Sequence, residues 1–83
     1  MTREEILVTI PDALKDSELF DFVNVSDDDV DMRLEVNIFL RNYVYGLPNI
    51  DKVHYLSFID DECTDDVWIT NMNEVLYPLL LKW

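Results

Sequence analysis

The chain has one glycine, one cysteine and one histidine in 83 residues, and each scarcity removes a class of chemistry. A phosphate-cradling loop needs several glycines so that backbone N–H groups can close on the ligand, and Gly46 alone cannot build one. Cys63 has no partner for an intramolecular disulfide, so a reducing cytoplasm is the expected setting. Acidic residues surround that cysteine in sequence, which disfavours a reactive thiolate. His54 has no Ser or Cys nucleophile motif around it and reads as a structural or surface histidine. The expectation is a protein that is not an enzyme and carries no cofactor.

Long hydrophobic runs are missing too. No apolar stretch approaches the ~18 residues that span a bilayer, so no membrane partner is expected. The opening Met1-Thr2-Arg3-Glu4-Glu5 does not read as a signal peptide. With a single glycine and three prolines there is no linker composition. One domain over residues 1–83 is expected.

The scarcest commodity is positive charge. Six Lys and Arg stand against 18 Asp and Glu, a formal net charge of −12. Phosphates would be repelled, which disfavours direct nucleic-acid binding and anionic membrane surfaces. Such an excess also destabilises a compact state through self-repulsion. If charge selects the partner, the partner is basic.

What is present argues for a folded domain. Hydrophobic residues make up 49% and aromatic residues 12% of the chain, unlike a disordered acidic tail. Thr2 and Glu5 have capping-box spacing, but Ile6-Leu7-Val8-Thr9-Ile10 is rich in β-branched residues. The segment stays undecided between helix and strand, leaning to a helix through the first fifteen residues with a break or bend near Pro11. Leu19 to Val25 reads as a short strand. Val30, Met32, Leu34, Val36, Ile38 and Leu40 alternate with mostly polar residues, the period of a half-buried strand. The rival is a helix capped by Ser26 and stopped at Gly46-Leu47-Pro48. A turn at Gly46-Leu47-Pro48-Asn49 leads into a second strand through Val53, Tyr55 and Phe58. The tail from Val75 to Trp83 reads as an edge strand, because Pro78 would break a helix there. The expected fold class is α+β, a small antiparallel sheet of four or five strands with one or two short helices.

The carboxylates do not have the spacing of a dedicated metal site. A calcium loop begun at Asp27 or Asp60 lacks the glycine at its sixth position and the glutamate at its twelfth. They read instead as a surface. On a strand, Asp27, Asp29 and Asp31 would project from one face at about 6.6 Å, comparable with the spacing of phosphates along a nucleic-acid strand. Asp28 belongs to the same run, and Asp60, Asp61, Glu62, Asp65 and Asp66 form a second that could continue the row. A groove lined with Lys and Arg would attract such a ridge, with fast, salt-sensitive association. The other reading of each run is a solvated loop. The apolar tail Leu76 to Trp83 is either core or a docking surface, including for a second copy paired as a homodimer.

Several stretches resemble the uracil-DNA glycosylase inhibitors of phages and staphylococcal mobile elements. They are Met32-Arg33-Leu34 with Ile38 to Tyr45, Phe58-Ile59-Asp60-Asp61-Glu62, Asp66-Val67-Trp68 with Asn71, and Pro78-Leu79-Leu80. That resemblance covers about half the chain and implies a small acidic α+β protein that imitates DNA. The family's Glu-Ser-Ile element has no intact copy; Ser17-Glu18-Leu19 is its nearest substitute. A shorter stretch, Trp68 with Val75 to Trp83, is similar to part of the barstar family of intracellular ribonuclease inhibitors. The functional expectation is a DNA-mimic inhibitor acting on the basic groove of a nucleic-acid-binding protein, first a uracil-DNA glycosylase. The alternatives are an anti-CRISPR or anti-restriction inhibitor, or an acidic immunity or adaptor protein that docks through its tail. If phage-encoded, it would work in the host cytoplasm.

Overall fold

The segment read as the central strand is a helix. In the computed structural model, which describes residues 1–83, α3 spans Met32–Gly46, and no strand occurs anywhere. The expected α+β sheet is therefore replaced by an all-helical fold. The reason lies in which apolar residues are buried. Met32, Val36, Leu40 and Val44 recur at every fourth position and are 0–1% exposed. Leu34 and Ile38, which completed the period-two pattern, point outward at 42% and 45% exposure. A helix needs only one apolar stripe, and additional exposed apolar residues are tolerated. Alternation arises here because a buried stripe is overlaid with outward-facing aliphatics.

The remaining elements are α1 (Arg3–Thr9), a 3₁₀ turn (Asp12–Leu14), α2 (Glu18–Asn24), α4 (Lys52–Leu56), α5 (Asp65–Asn71), a π-helical turn (Met72–Leu76) and α6 (Tyr77–Lys82). The segments read as strands at Leu19–Val25, Val53–Phe58 and the tail are thus α2, α4 and the π turn with α6. The helix expected at the N-terminus is present: Thr2 and Glu5 form the reciprocal capping box, each bond 3.2 Å. It ends before Pro11, and the 3₁₀ turn follows.

Helices of five to seven residues are not stable by propensity alone. Two features hold them. Each of the four short α-helices that starts from non-helical backbone has a side-chain N-cap, Thr2, Ser17, Asp51 and Thr64, as the longer α3 has Asp31. Such caps contribute about 1 kcal/mol each. The second feature is burial of four-residue stripes in one core: Ile6 and Ile10, Leu19 and Val23, the α3 stripe, and Trp68, Met72 and Leu76. Full burial of each large aliphatic contributes roughly 1.5–3 kcal/mol.

α3 stops where Leu47, extended at φ −81°, ψ 133°, precedes Pro48, as the ring of a proline demands of its neighbour. Asp31, not Ser26, is its cap, accepting from the Leu34 N–H at 3.4 Å. Asn49 takes a left-handed conformation at φ 58° in the turn that follows, one of the few residues that does so readily.

Pro78 does not break the C-terminal helix. α5, the π turn and α6 run without interruption from residue 65 to 82. The π turn widens the helix just before the proline, and Tyr77 N–H reaches back to the Met72 carbonyl. Pro78 then occupies the first turn of α6, where its ring is accommodated and its missing N–H matters least. Tyr77 and Leu79 lie in the core, whereas Leu81 and Trp83 are about half exposed. The tail is thus core on one side and surface on the other. No helix is long and apolar enough to cross a membrane.

Candidate functional site

Both acidic runs are built as turns that feed helix N-termini. In the first, the Asp27 carboxylate accepts from the Asp29 N–H at 3.0 Å, and Asp31 then caps α3. In the second, the Asp60 carboxylate accepts from the Glu62 N–H at 2.8 Å, and Thr64 caps α5 at 3.3 Å. Asp65 and Asp66 lie in the first turn of α5, where negative charge is favoured by the helix dipole. The strand ladder expected for Asp27, Asp29 and Asp31 does not exist, because 27–30 is a turn and Asp31 opens a helix. Its regular 6.6 Å repeat is withdrawn with it.

A polar stripe on α3 fixes the second loop. Arg33, Asn37 and Arg41 recur at every fourth position beside the apolar stripe, and all three bond to residues 59–65. The Arg33 guanidinium donates to the Cys63 carbonyl at 2.9 Å, to the Asp65 carboxylate at 2.8 Å and to the Asp60 carbonyl at 3.2 Å. It also lies 5.7 Å from the centre of the Trp68 ring, within the range of a cation–π contact. Asn37, fully buried, donates from Nδ2 to Asp61. Arg41 donates to the Ile59 carbonyl at 3.0 Å and pairs with Asp61 at 3.5 Å.

The third arginine holds the first loop. Arg3 on α1 donates to the carbonyls of Asn24 and Ser26 at 3.4 and 3.3 Å, and its Nε lies 3.1 Å from the Asp28 carboxylate. That last contact is an ion pair without hydrogen-bond geometry. Arg3 also bonds Glu4 at 2.9 Å. This bond, more than the bare charge, holds the Glu4 carboxyl below its ordinary pKa and raises that of the guanidinium.

The nine predicted site carboxylates divide evenly by partner. Asp28, Asp61 and Asp65 pair with arginines. Asp27, Asp31 and Asp60 accept from backbone N–H groups. Asp29, Glu62 and Asp66 have exposed carboxylates that accept no hydrogen bond and join no ion pair. The loops meet at a cleft of about 150 Å³ lined by Met1, Asp31, Arg33, Leu34, Asp61 and Asp65. The structure therefore brings Asp31 beside Asp61 and Asp65. Asp27, Asp28 and Asp29 are outside that cleft, and of the three Asp28 pairs with Arg3 of α1.

The arginines were not among the predicted site residues. Their signal was present: Arg33, Asn37 and Arg41 at i, i+4 and i+8 mark a polar helix stripe, visible once residues 32–46 are read as helical.

His54 is exposed on α4, its ring edge-on to Tyr55 and Phe58 at 5.2 Å between centres. Cys63 donates its thiol to the Asp60 carbonyl at 3.3 Å and receives an Arg33 N–H at 3.2 Å. No group of three or more His, Cys, Asp or Glu side chains is placed to hold a metal ion. Among the large apolar side chains, Met32, Trp68 and Tyr77 belong to the core, while Tyr45 and Trp83 face outward.

No protein-family model matches this chain, and comparison with curated proteins and with solved structures finds no match either.

Proposed function

We propose that the protein is a stoichiometric inhibitor whose acidic loops, 27–31 and 60–66, stand in for a DNA backbone and occupy the basic groove of an enzyme acting on DNA. The observation that carries this reading is the use of arginine. All three arginines lie beneath the two loops and bond mainly inward, to five backbone carbonyls and to Glu4, Asp28, Asp61 and Asp65. Two of the three lysines are used elsewhere: Lys15 pairs with Asp12, and Lys52 donates to the Tyr45 carbonyl. Cations thus fix the loops in position while pairing with only three of their nine carboxylates. A merely solvated loop needs no such bracing, whereas a binding surface gains affinity from preorganisation.

The loops supply long-range attraction and a fast association rate, falling with salt as the charges are screened. The enzyme class is named by chemistry: a Lys- and Arg-lined groove that tracks phosphates. Uracil-DNA glycosylase is the first such enzyme to assay, on the resemblance described above, and CRISPR effectors and restriction endonucleases follow. The resemblance's α+β framework is absent, so the proposal rests on charge placement and not on shared descent. On this reading the protein is no enzyme, needs no cofactor, does not bind nucleic acid itself and works in the cytoplasm. Burial of Leu76, Tyr77 and Leu79 in the core favours it over an adaptor docking through the whole tail.

The test is a uracil-excision assay with purified bacterial glycosylase, titrated with this protein at low and moderate salt. Complete block near one equivalent supports both mimicry and target. Absence of block at stoichiometric excess removes this target and moves the assay to the nucleases.

A further inference from the structure

A second surface lies on another face of α3, along its C-terminal half. Leu19, Phe39, Tyr43, Leu80 and Trp83 line an open groove of about 340 Å³ between α2, α3 and α6. Asp16 and Glu18 stand at its edge, and no Lys, Arg or His lines it. Neither carboxylate joins an ion pair: the nearby Lys15 is taken by Asp12. Trp83 is 50% exposed, so a large aromatic face is available. Phe39 and Tyr43 lie roughly 12–18 Å along the helix axis from Asp31 and on the other face of α3 from Arg41, which holds the second acidic loop.

The lining selects its occupant. An apolar floor wants aliphatic or aromatic side chains, and unpaired carboxylates at the rim want cations beside them. Anionic ligands are excluded by the absence of any lining cation. A second copy of this chain is disfavoured, since its own net charge is −12 and its groove rim is acidic as well. We propose that this groove is a docking site for a short segment of a partner protein that carries apolar residues flanked by lysine or arginine. The volume fits a few such side chains, near the lower end of pocket sizes. The partner's apolar residues would stack on Trp83 and Phe39 while its cations pair with Asp16 and Glu18. Such an anchor supplies the slow dissociation that charge alone does not. The proposal does not depend on the inhibitor reading.

The experiment is an NMR titration of the labelled protein, at about 0.15 M salt to screen long-range attraction. The probe is a short amidated amphipathic peptide of leucine and lysine; its control has serine in place of each leucine. The leucine peptide should shift the Trp83 indole and the Phe39 and Tyr43 rings, and the serine peptide should not. Trp83→Ala should weaken binding by about tenfold, and Asp16→Asn with Glu18→Gln by several-fold. Both variants alter exposed side chains, so their spectra should otherwise match the parent. Asp27→Asn, Asp29→Asn and Asp31→Asn together should leave the groove affinity within a few-fold, which separates this site from the acidic loops. Equal binding of the serine peptide, or shifts confined to residues 27–31 and 60–66, would overturn the proposal. So would concentration-dependent shifts at the groove without peptide, which would make the occupant a second copy.

Discussion

The indole Nε1–H of Trp68 donates to Oδ1 of Asn37 at 2.8 Å, and both side chains are completely buried. The amide nitrogen of the same Asn37 donates to Asp61 on the acidic loop. One side chain therefore satisfies the core's largest aromatic and anchors a surface carboxylate. The position of the loop is tied to packing in the core.

Replacing Asn37 should expose that coupling. Asn37→Leu leaves the Trp68 N–H without an acceptor in an apolar interior, costing about 1–3 kcal/mol. Asn37→Asp keeps an acceptor for the indole but sets a second carboxylate against Asp61, and should destabilise further. Urea denaturation of the three proteins tests the order.

Arg33→Lys should loosen the 60–65 loop without unfolding the domain. A single ammonium cannot reproduce the planar fork that reaches two carbonyls, a carboxylate and the Trp68 face. The expected loss is roughly 1.5–3 kcal/mol. Hydrogen exchange at the amides of residues 60–63 should accelerate while α1 and α2 keep their protection. Unchanged exchange in the loop would show that Arg33 does not hold it.

Tyr77 gives the fold an alkaline limit. Burial raises its phenol pKa above the ordinary 10.0, partly offset by the 3.0 Å hydrogen bond to Thr9. The folded state then keeps the proton longer than the unfolded chain. The stability this contributes is complete below pH 10.0 and is lost as pH rises through the raised value. Tyr77→Phe should remove that alkaline decline and cost about 0.5–1.5 kcal/mol near neutrality through the lost hydrogen bond. Thermal unfolding followed across the alkaline range checks both.

Neutralising Asp27, Asp29 and Asp31 together as asparagines should leave the fold intact, since asparagine caps a helix as well as aspartate does. Association with a basic groove should slow several-fold at low salt and approach the parent's rate at high salt. Stopped-flow kinetics at two ionic strengths measures the difference. Unchanged kinetics at low salt would remove this loop from the site.

Local chemistry was legible in the sequence where a short motif acts alone. The Thr2–Glu5 box, the bend at Pro11 and the stop at Gly46-Leu47-Pro48 all stand where their residue types put them. Tertiary choice was not legible. The α3 segment is apolar at alternate positions, and nothing in its own residues states that Leu34 and Ile38 face outward while Val36 and Leu40 go in. Burial against α1 and α2 decides that. Pro78 misled for a different reason, because its conflict with a helix is resolved by a π turn that no local signal announces. The acidic runs were visible as charge, and their bracing was not, because Arg33, Asn37 and Arg41 form a stripe only on a helix.

The most direct test of the acidic face is displacement of a labelled DNA duplex at low salt from three enzymes: a uracil-DNA glycosylase, a CRISPR effector nuclease and a restriction endonuclease. The parent protein should release the duplex from at least one of them near one equivalent, and the Asp27, Asp29 and Asp31 asparagine variant should need several-fold more. Retention of the duplex by all three at stoichiometric excess, or equal potency of parent and variant, would contradict the proposed mimicry.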